Sequence, residues 1–226
     1  MPLRIVDKGL KCTMLEDYAI AAIDYAINMG ADILSNQWGQ NVSCDPLLYG
    51  AIKAANDAGI LFVTSAGNNG QNIDIIPFIP SSCNLSNVIA VAATDHNDNL
   101  ASWSNYGYKS VHLGAPGVNI WSLRWNESSC YSSCTCSGNL MMCSGTSMAA
   151  PYVSGVAALV KAKYPDIKIN ELKETIIYYI EPLDSLKGKT VTGGRLNAFL
   201  SLYAYQACTA NSDCPQPLAC ENNVCT

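Results

Sequence analysis

A serine that follows a glycine turn, just before an apolar segment rich in small residues, is the most informative feature of the sequence. Residues 144–151 read Ser-Gly-Thr-Ser-Met-Ala-Ala-Pro, and the segment Met148–Lys163 is predicted to be a buried helix. A helix N-terminus offers unpaired N–H groups and a partial positive charge, which would suit Ser147 as a nucleophile beside a developing oxyanion. By themselves, the same residues also fit an ordinary N-terminal helix cap.

A second segment favours a catalytic role for Ser147 over a role as a helix cap. Ser65–Gly70 reads Ser-Ala-Gly-Asn-Asn-Gly and follows Ile60–Thr64, an apolar and β-branched run that predicts a buried strand. The side chain of Asn68, at the end of that strand, can donate a hydrogen bond to an oxyanion. By itself, this loop also fits a turn that needs glycine and asparagine for positive φ.

Alternating helices and strands would bring both segments to one end of a sheet. The predicted helices cover Met14–Met29, Pro46–Ala58, Met148–Lys163, Asn170–Tyr179 and Arg195–Tyr205, and the predicted strands cover Asp32–Asn36, Ile60–Thr64, Val88–Thr94, Val111–Leu113 and Val118–Trp121. This order indicates an α/β fold with a mostly parallel sheet covered on both faces. Ligands in such folds bind beyond the carboxyl ends of the strands, which directs attention to the loops after Asn36 and Thr64.

Together these motifs resemble the subtilisin-like serine proteases, the subtilase or peptidase S8 family. The resemblance covers about Leu3 to Tyr203 and implies a three-layer α/β/α fold and serine-type endopeptidase activity through an acyl-enzyme. By resemblance, Ser147 is the nucleophile and Asn68 the oxyanion-hole amide. The matching stretches, in the family's order, are Gly30–Gly39, Ser65–Gly70, Val88–Thr94 with Ala101–Gly107, Ala115–Gly117 and Gly145–Pro151.

The resemblance also implies the two sides of a substrate-binding cleft. One tripeptide looks like the edge segment that pairs with an extended substrate backbone, and another looks like the opposite wall of the specificity pocket. The first contains a glutamine where a serine is common in the family, so the side-chain preference stays open. In chain order, the cleft residues are Gln37, Trp38 and Gly39, and then Ser65, Ala66 and Gly67.

The family's chemistry also needs an aspartate and a histidine before the nucleophile, and the sequence contains no motif that matches either. Neither His96, in a polar loop, nor His112, in a predicted strand, stands at the family's catalytic position, and the same holds for Asp7 and Asp32. Because a serine needs a base to lose its proton at neutral pH, we expect the chain alone to be inactive.

Two interpretations of this gap are open. In the first, the sequence is the C-terminal part of a larger catalytic domain, Leu3–Asp7 is a central strand, and the N-terminal strands are missing. The missing part of the domain is then the expected partner, polypeptides are the substrates, and calcium is possible in the full-length protein although no cofactor is required. In the second, the chain is a catalytically incomplete remnant or pseudoprotease that acts as a binding protein. The upstream coding sequence would distinguish them.

The eleven cysteines divide the chain further. Residues 1–206 are the predicted partial peptidase domain, and residues 207–226 are a cysteine-rich tail too short to build a core. In subtilases with a cysteine at both places, Cys44 and Cys83 look like a disulfide, and Cys12 is left over. An inserted segment and the tail each hold four cysteines with their pairing open, namely Cys130, Cys134, Cys136 and Cys143, and then Cys208, Cys214, Cys220 and Cys225.

Composition narrows the class of protein. With 49% hydrophobic and 14% charged residues, the chain is not disordered, and its net charge of −5 argues against nucleic-acid binding through phosphates. Its apolar stretches are far shorter than the roughly 18 residues of a membrane span. Cysteine and histidine spacings typical of a metal site are lacking. The cysteine content favours an oxidising compartment, so we expect a secreted or extracytoplasmic protein although no signal peptide begins the chain.

Overall fold

A computed structural model describes residues 1–3, 5, 16–124, 134–203, 214, 219–221 and 224–225 of the 226 residues. Helices and strands alternate over Glu16–Ser65, as predicted, and five further strands then follow one another before the next helix. The helices are α1 (Glu16–Asn28), α2 (Pro46–Asp57), α3 (Thr146–Lys163), α4 (Ile169–Tyr178) and α5 (Ala198–Tyr203). The strands are β1 (Ile33–Asn36), β2 (Leu61–Ser65), β3 (Val88–Thr94), β4 (Leu113–Pro116), β5 (Ile120–Leu123), β6 (Thr135–Ser137), β7 (Leu140–Cys143), β8 (Ile180–Pro182), β9 (Gly194–Leu196), β10 (Cys220–Glu221) and β11 (Val224–Cys225).

Six strands form the central sheet, in the order β1-β2-β3-β4-β9-β8. Strands β1 to β4 and β9 are parallel, whereas β8 pairs with β9 in the antiparallel sense. Within the described residues, β1 pairs with β2 alone and forms an edge of the sheet. The mostly parallel sheet confirms the predicted fold class and brings the carboxyl ends of β1, β2 and β3 to the same end of the sheet.

Side chains that alternate along each strand pack against helices on both faces of the sheet. Leu61 and Val63 belong to a buried cluster with Val153 of α3. Phe62, which lies between them in the sequence, packs in a second cluster with Ile52 of α2. The sheet therefore lies between α3 on one face and α1 and α2 on the other, in the three-layer arrangement that the resemblance implies.

Small residues allow α3 to lie close to the centre of the sheet. Ala149, Ala150 and Ala157 are fully buried, and the helix contacts each of β1 to β4. A helix surface of methyl groups lets the two backbones approach each other and excludes water between them. The backbone N–H of Gly145, just before the helix, donates to Gly117 O at 2.8 Å, and that of Gly117 donates to Thr94 O at 2.9 Å. The N-terminus of α3 is thereby held at the carboxyl end of β3.

The last predicted helix is partly wrong. The sequence pattern predicts a helix over Arg195–Tyr205, but Gly194–Leu196 forms β9 and α5 covers Ala198–Tyr203. Pairing of β9 with β8 and with Gly114 of β4 decides the conformation there, because sheet contacts override a local helix preference.

The inserted segment and the N-terminus also differ from the predicted structure. The polar inserted segment contributes β6 and β7 to a three-stranded antiparallel sheet in the order β5-β7-β6, which the sequence pattern does not predict. At the N-terminus, Leu3 and Ile5 are not in a strand, and the other residues of the predicted strand Leu3–Asp7 lie outside the described residues.

Disulfides connect two of the loops. Cys44, just before α2, is bonded to Cys83, just before β3, with their α-carbons 5.4 Å apart; this is the pair that the resemblance implies. Cys134 is bonded to Cys143 within the inserted segment, with α-carbons 4.6 Å apart. Cys136 is disulfide-bonded as well.

In the tail, Cys214 is disulfide-bonded, and the backbones of Cys220 and Cys225 face each other in the antiparallel pair β10–β11. Cys12, Cys130 and Cys208 lie outside the described residues. None of the helices that the structure describes is long and apolar enough to cross a membrane.

Candidate active site

Ser147 is the second residue of α3 and lies at the carboxyl end of the sheet. Its side chain is half-buried, and its Oγ donates a hydrogen bond to the backbone carbonyl of Gln37 at 3.4 Å. Gln37 directly follows β1, so the predicted nucleophile contacts the predicted substrate-pairing segment. The helix N-terminus beside Ser147 supplies free N–H groups and a positive end of the helix dipole.

Thr146 orients the amide of Asn68. The Thr146 N–H and its Oγ1 hydroxyl both donate to Asn68 Oδ1 at 2.9 Å, and the buried Gly67 N–H donates to Thr146 Oγ1 at 3.1 Å. Because its oxygen accepts these two bonds, the Asn68 side chain presents its Nδ2 as the outward donor. That nitrogen lies beside Gly145, since a β-carbon built on this glycine would be 3.6 Å from it. Asn68 Nδ2 and the Ser147 N–H are thus two preset donors at the start of α3.

Asn105 holds the loop that carries Asn68, a role that the sequence alone does not predict. Its buried side chain donates from Nδ2 to Ala66 O at 2.9 Å and accepts at Oδ1 from the N–H groups of Asn69 and Gln71, both at 3.0 Å. Its own N–H donates to Gly67 O at 2.9 Å. The signal was its place in the matching stretch Ala101–Gly107, at a separation of more than thirty residues that local patterns do not connect.

The two predicted walls of the cleft lie at the carboxyl ends of β1 and β2. On one side, Gln37 is exposed; its Nε2 donates to Ser35 Oγ at 2.7 Å. Trp38 Nε1 donates to Asn36 Oδ1 at 3.2 Å, which turns the indole back onto β1. On the other side, the wall Ser65–Gly67 is buried. The structure thus places all the predicted cleft residues at one end of the sheet, around Ser147.

Comparison with known proteins identifies this arrangement. The sequence model of the subtilase family matches residues 3–194, which is most of the chain. The chain belongs to the subtilase family. This family, and the subtilisin-like fold, confirm the resemblance seen in the sequence.

Two bacterial proteases and one solved protease structure are among the similar proteins. A thermostable alkaline protease of Halalkalibacterium halodurans is 40% identical over 155 residues, which are 68% of this chain and 38% of that protein. Subtilisin Savinase of Lederbergia lenta is 36% identical over 157 residues, which are 68% of this chain and 52% of that protein. The solved prenylagaramide maturation protease PagA has a TM-score of 0.69 and 27% identity, covering 84% of this chain and 68% of PagA. The chain therefore spans about two fifths to half of these two curated relatives.

Neither histidine of this subtilase is hydrogen-bonded to Ser147. The imidazole of His112 accepts a hydrogen bond at Nδ1 from the Ala90 N–H at 3.1 Å. Burial, and to a smaller extent the positive charge of Lys173, lowers its pKa to about 3, so the ring is neutral at physiological pH. His96 is exposed and is hydrogen-bonded to Asn97.

Lys173 and Asp32 lie at the other end of the sheet from Ser147. Lys173 Nζ donates to Val88 O at 2.7 Å, at the start of β3, and burial lowers the pKa of this lysine to about 8. Asp32 precedes β1 and forms an ion pair with Lys161 at 3.8 Å. Both lie at the amino ends of the strands, opposite the carboxyl end where Ser147 lies. Asp7 lies outside the described residues.

Calcium ligands are not evident in the part of the chain that the structure describes. No group of three or more histidine, cysteine, aspartate or glutamate side chains there could hold a metal ion. These residues do not fit a calcium site of that kind, so no step of the chemistry is assigned to a metal.

Proposed function

We propose that the protein is a serine-type endopeptidase that hydrolyses peptide bonds in polypeptides through an acyl-enzyme on Ser147. In this scheme, Ser147 Oγ loses its proton to a base and attacks the substrate carbonyl carbon. The resulting oxyanion accepts hydrogen bonds from Asn68 Nδ2 and the Ser147 N–H. Collapse of the tetrahedral intermediate expels the amine, which takes the proton from the base, and water then hydrolyses the ester by the same steps in reverse order.

The orientation of Asn68 carries this proposal. An asparagine in an ordinary loop would be free to rotate, whereas two donors from Thr146 hold this amide with its nitrogen outward. Preset donors stabilise the charge that develops in the transition state without reorganising, which is the largest electrostatic contribution to acyl transfer. A binding protein would have no need of this arrangement, and relatives named as proteases favour the enzyme over the non-catalytic alternative.

The base is proposed to come from the N-terminal part of the same protease domain. Within the described residues, the hydrogen bond of Ser147 Oγ goes to a backbone carbonyl, and the side-chain hydrogen bonds of the two histidines go to Ala90 and Asn97 rather than to Ser147. A cavity of about 600 Å³ lies beside β1, which among the described residues pairs with β2 alone, and it is lined by Ile33 and Ser35, by Ala22 and Ile23 of α1, by Trp38, and by residues 1–3 and 5. An unpaired strand edge beside apolar residues is a suitable surface for further strands. A segment docked there would reach Ser147 along the substrate-pairing side.

Location and cofactor use complete the proposal. Disulfides persist in oxidising compartments, so Cys44–Cys83 and Cys134–Cys143 support a secreted or extracytoplasmic protein. The serine mechanism needs no cofactor, and any calcium in the full-length protein would have a structural role.

Labelling of the full-length protein with a fluorophosphonate tests the function. We expect the label on the peptide that contains Ser147, and we expect Ser147→Ala to abolish both labelling and casein hydrolysis. Asn68→Ala should lower kcat by about 10² to 10³, the usual effect of losing one oxyanion donor.

Ser144→Ala is the matched control, because this exposed serine lies three residues earlier and its Oγ accepts from the Asn119 N–H at 2.9 Å. It should leave the rate unchanged. Casein hydrolysis that persists in Ser147→Ala would refute the assignment.

A further inference from the structure

The ring of Phe78 lies between the two walls of the cleft. A β-carbon built on Gly39, in one wall, would be 2.7 Å from Phe78 Cζ and would also collide with Cε1. A β-carbon built on Gly67, in the other wall, would be 2.9 Å from both Cε2 and Cζ. Real β-carbons do not approach other atoms this closely, so the tip of the ring fills the space that the two glycines leave free.

Hydrogen bonds tie the segment that carries this ring, residues 78–83 (the floor segment), to both walls. The backbones of Ile79 and Gln40 exchange two hydrogen bonds of 3.0 and 3.2 Å, next to Gly39. Ser81 Oγ donates to Ser65 O at 2.6 Å, in the opposite wall. At its end, Cys83 is bonded to Cys44. The floor segment is therefore fixed at both sides and at one end.

The ring itself has little room to withdraw. Phe78 is 8% exposed and packs in a buried cluster with Ala66, Ile73 and Val111. Moving it away from the walls would require these neighbours to shift in a close-packed interior, which is costly.

From this geometry we propose that Phe78 closes the floor of the specificity pocket and restricts the residue on the acyl side of the scissile bond to glycine, alanine or serine. The inference rests on the proposed endopeptidase function. A larger acyl-side residue would have to enter the volume that the ring already fills. Its bond would then sit away from Ser147, and a displacement of about 1 Å is enough to lose about 10²-fold in rate.

Peptide substrates that differ only at the acyl-side residue test the proposal in the full-length protein. We expect kcat/KM for an alanine peptide to exceed that for a phenylalanine peptide by at least about 100-fold. In Phe78→Ala, this ratio should fall at least about tenfold through faster cleavage of the phenylalanine peptide. Phe78→Leu retains more apolar volume and should give an intermediate ratio, which keeps the test informative if the alanine variant folds poorly.

Phe199→Ala is the matched control. This ring is 45% exposed on α5, where it packs against Tyr203 with the ring centroids 4.8 Å apart. The variant removes the same atoms outside the cleft and should keep the ratio of the wild type. A wild-type protein that cleaves the phenylalanine peptide as well as the alanine peptide would overturn the proposal. So would a folded Phe78 variant with an unchanged ratio.

Binding of product peptides separates this inference from the proposed function, because it needs no turnover. Acetylated tripeptides ending in alanine or phenylalanine with a free carboxylate would be titrated into full-length Ser147→Ala, with and without Phe78→Ala. We expect the alanine peptide to bind more tightly to the first protein, and the added substitution to favour the phenylalanine peptide. This pattern without any hydrolysis by the wild type would support the pocket and contradict the catalytic proposal. Hydrolysis without the pattern would support the catalytic proposal and contradict the pocket. Absence of peptide binding would overturn the inference.

Discussion

Replacing Thr146 with valine should destabilise the protein and slow catalysis for one reason. The substitution keeps the shape of the side chain but removes the hydroxyl that accepts from the Gly67 N–H and donates to Asn68 Oδ1. Thr146 is fully buried, so Gly67 is left with an orphaned N–H, at a cost of about 1–3 kcal/mol. The lost bond to Asn68 adds about 1 kcal/mol, for a total of roughly 3 kcal/mol.

Thr146→Ser separates the hydroxyl from the methyl group. This variant keeps both hydrogen bonds and loses one buried methyl, which costs about 1 kcal/mol. Urea unfolding should therefore place the serine variant about 2 kcal/mol above the valine variant in free energy of unfolding. In the active full-length protein, Thr146→Val should lower kcat at least about tenfold with little change in KM, because an oxyanion donor acts in the transition state.

Equal unfolding free energies for the two variants would refute the energetic argument. A valine variant with normal kcat would show that Asn68 does not depend on Thr146 for its orientation. Loss of stability with unchanged kcat would assign Thr146 a structural role and remove it from the positioning of the oxyanion donor.

Two further predictions concern stability. His112 has a folded pKa of about 3 against 6.5 in the unfolded chain, so the native state binds fewer protons and stability should fall as the pH drops below about 6.5. At pH 5 the loss of stability is about 2 kcal/mol. Urea unfolding at pH 7.5 and pH 5 should show this loss in the wild type and in the exposed control His96→Gln. The variant His112→Gln should not show it. Replacing Cys44 and Cys83 by serine opens a loop of 39 residues and should cost about 4 kcal/mol in thermal or urea unfolding. A midpoint within error of the wild type in the double variant would contradict the loop-entropy estimate.

Much of the fold could be predicted because its signals are local. The apolar runs of β2 and β3 and the helix pattern of α2 are complete within short windows, and Asp45 caps α2 by accepting from the N–H groups of Leu47 and Leu48. The short strands β8 and β9 could not be predicted in the same way. Three residues hold too little pattern, and their conformation depends on the pairing of β9 with β4 and of β8 with β9.

In the candidate site, too, the residues in local motifs could be predicted and the residues that position them could not. Ser147 and Asn68 lie in motifs that a reader can find in the sequence, and the structure brings their segments together at the carboxyl end of the sheet. The residues that hold them there are ordinary in type. Asn105 reaches Asn69 across 36 positions and Phe78 meets Gly39 across 39, and neither relation has a signature in a single sequence.

The residues that hold the candidate site in place are distinct from the base that Ser147 needs. The oxyanion donors depend on Thr146 and Asn105, and the pocket depends on Phe78 and its bonds to both walls; all of these contacts lie within the described residues. Activation of Ser147 depends on a base that these residues do not place beside it. In the proposed endopeptidase, binding and transition-state stabilisation would therefore be set by one part of the domain and proton transfer by another. Substitutions at the supports should alter rate or specificity at every pH, whereas loss of the base should remove the pH dependence together with the rate.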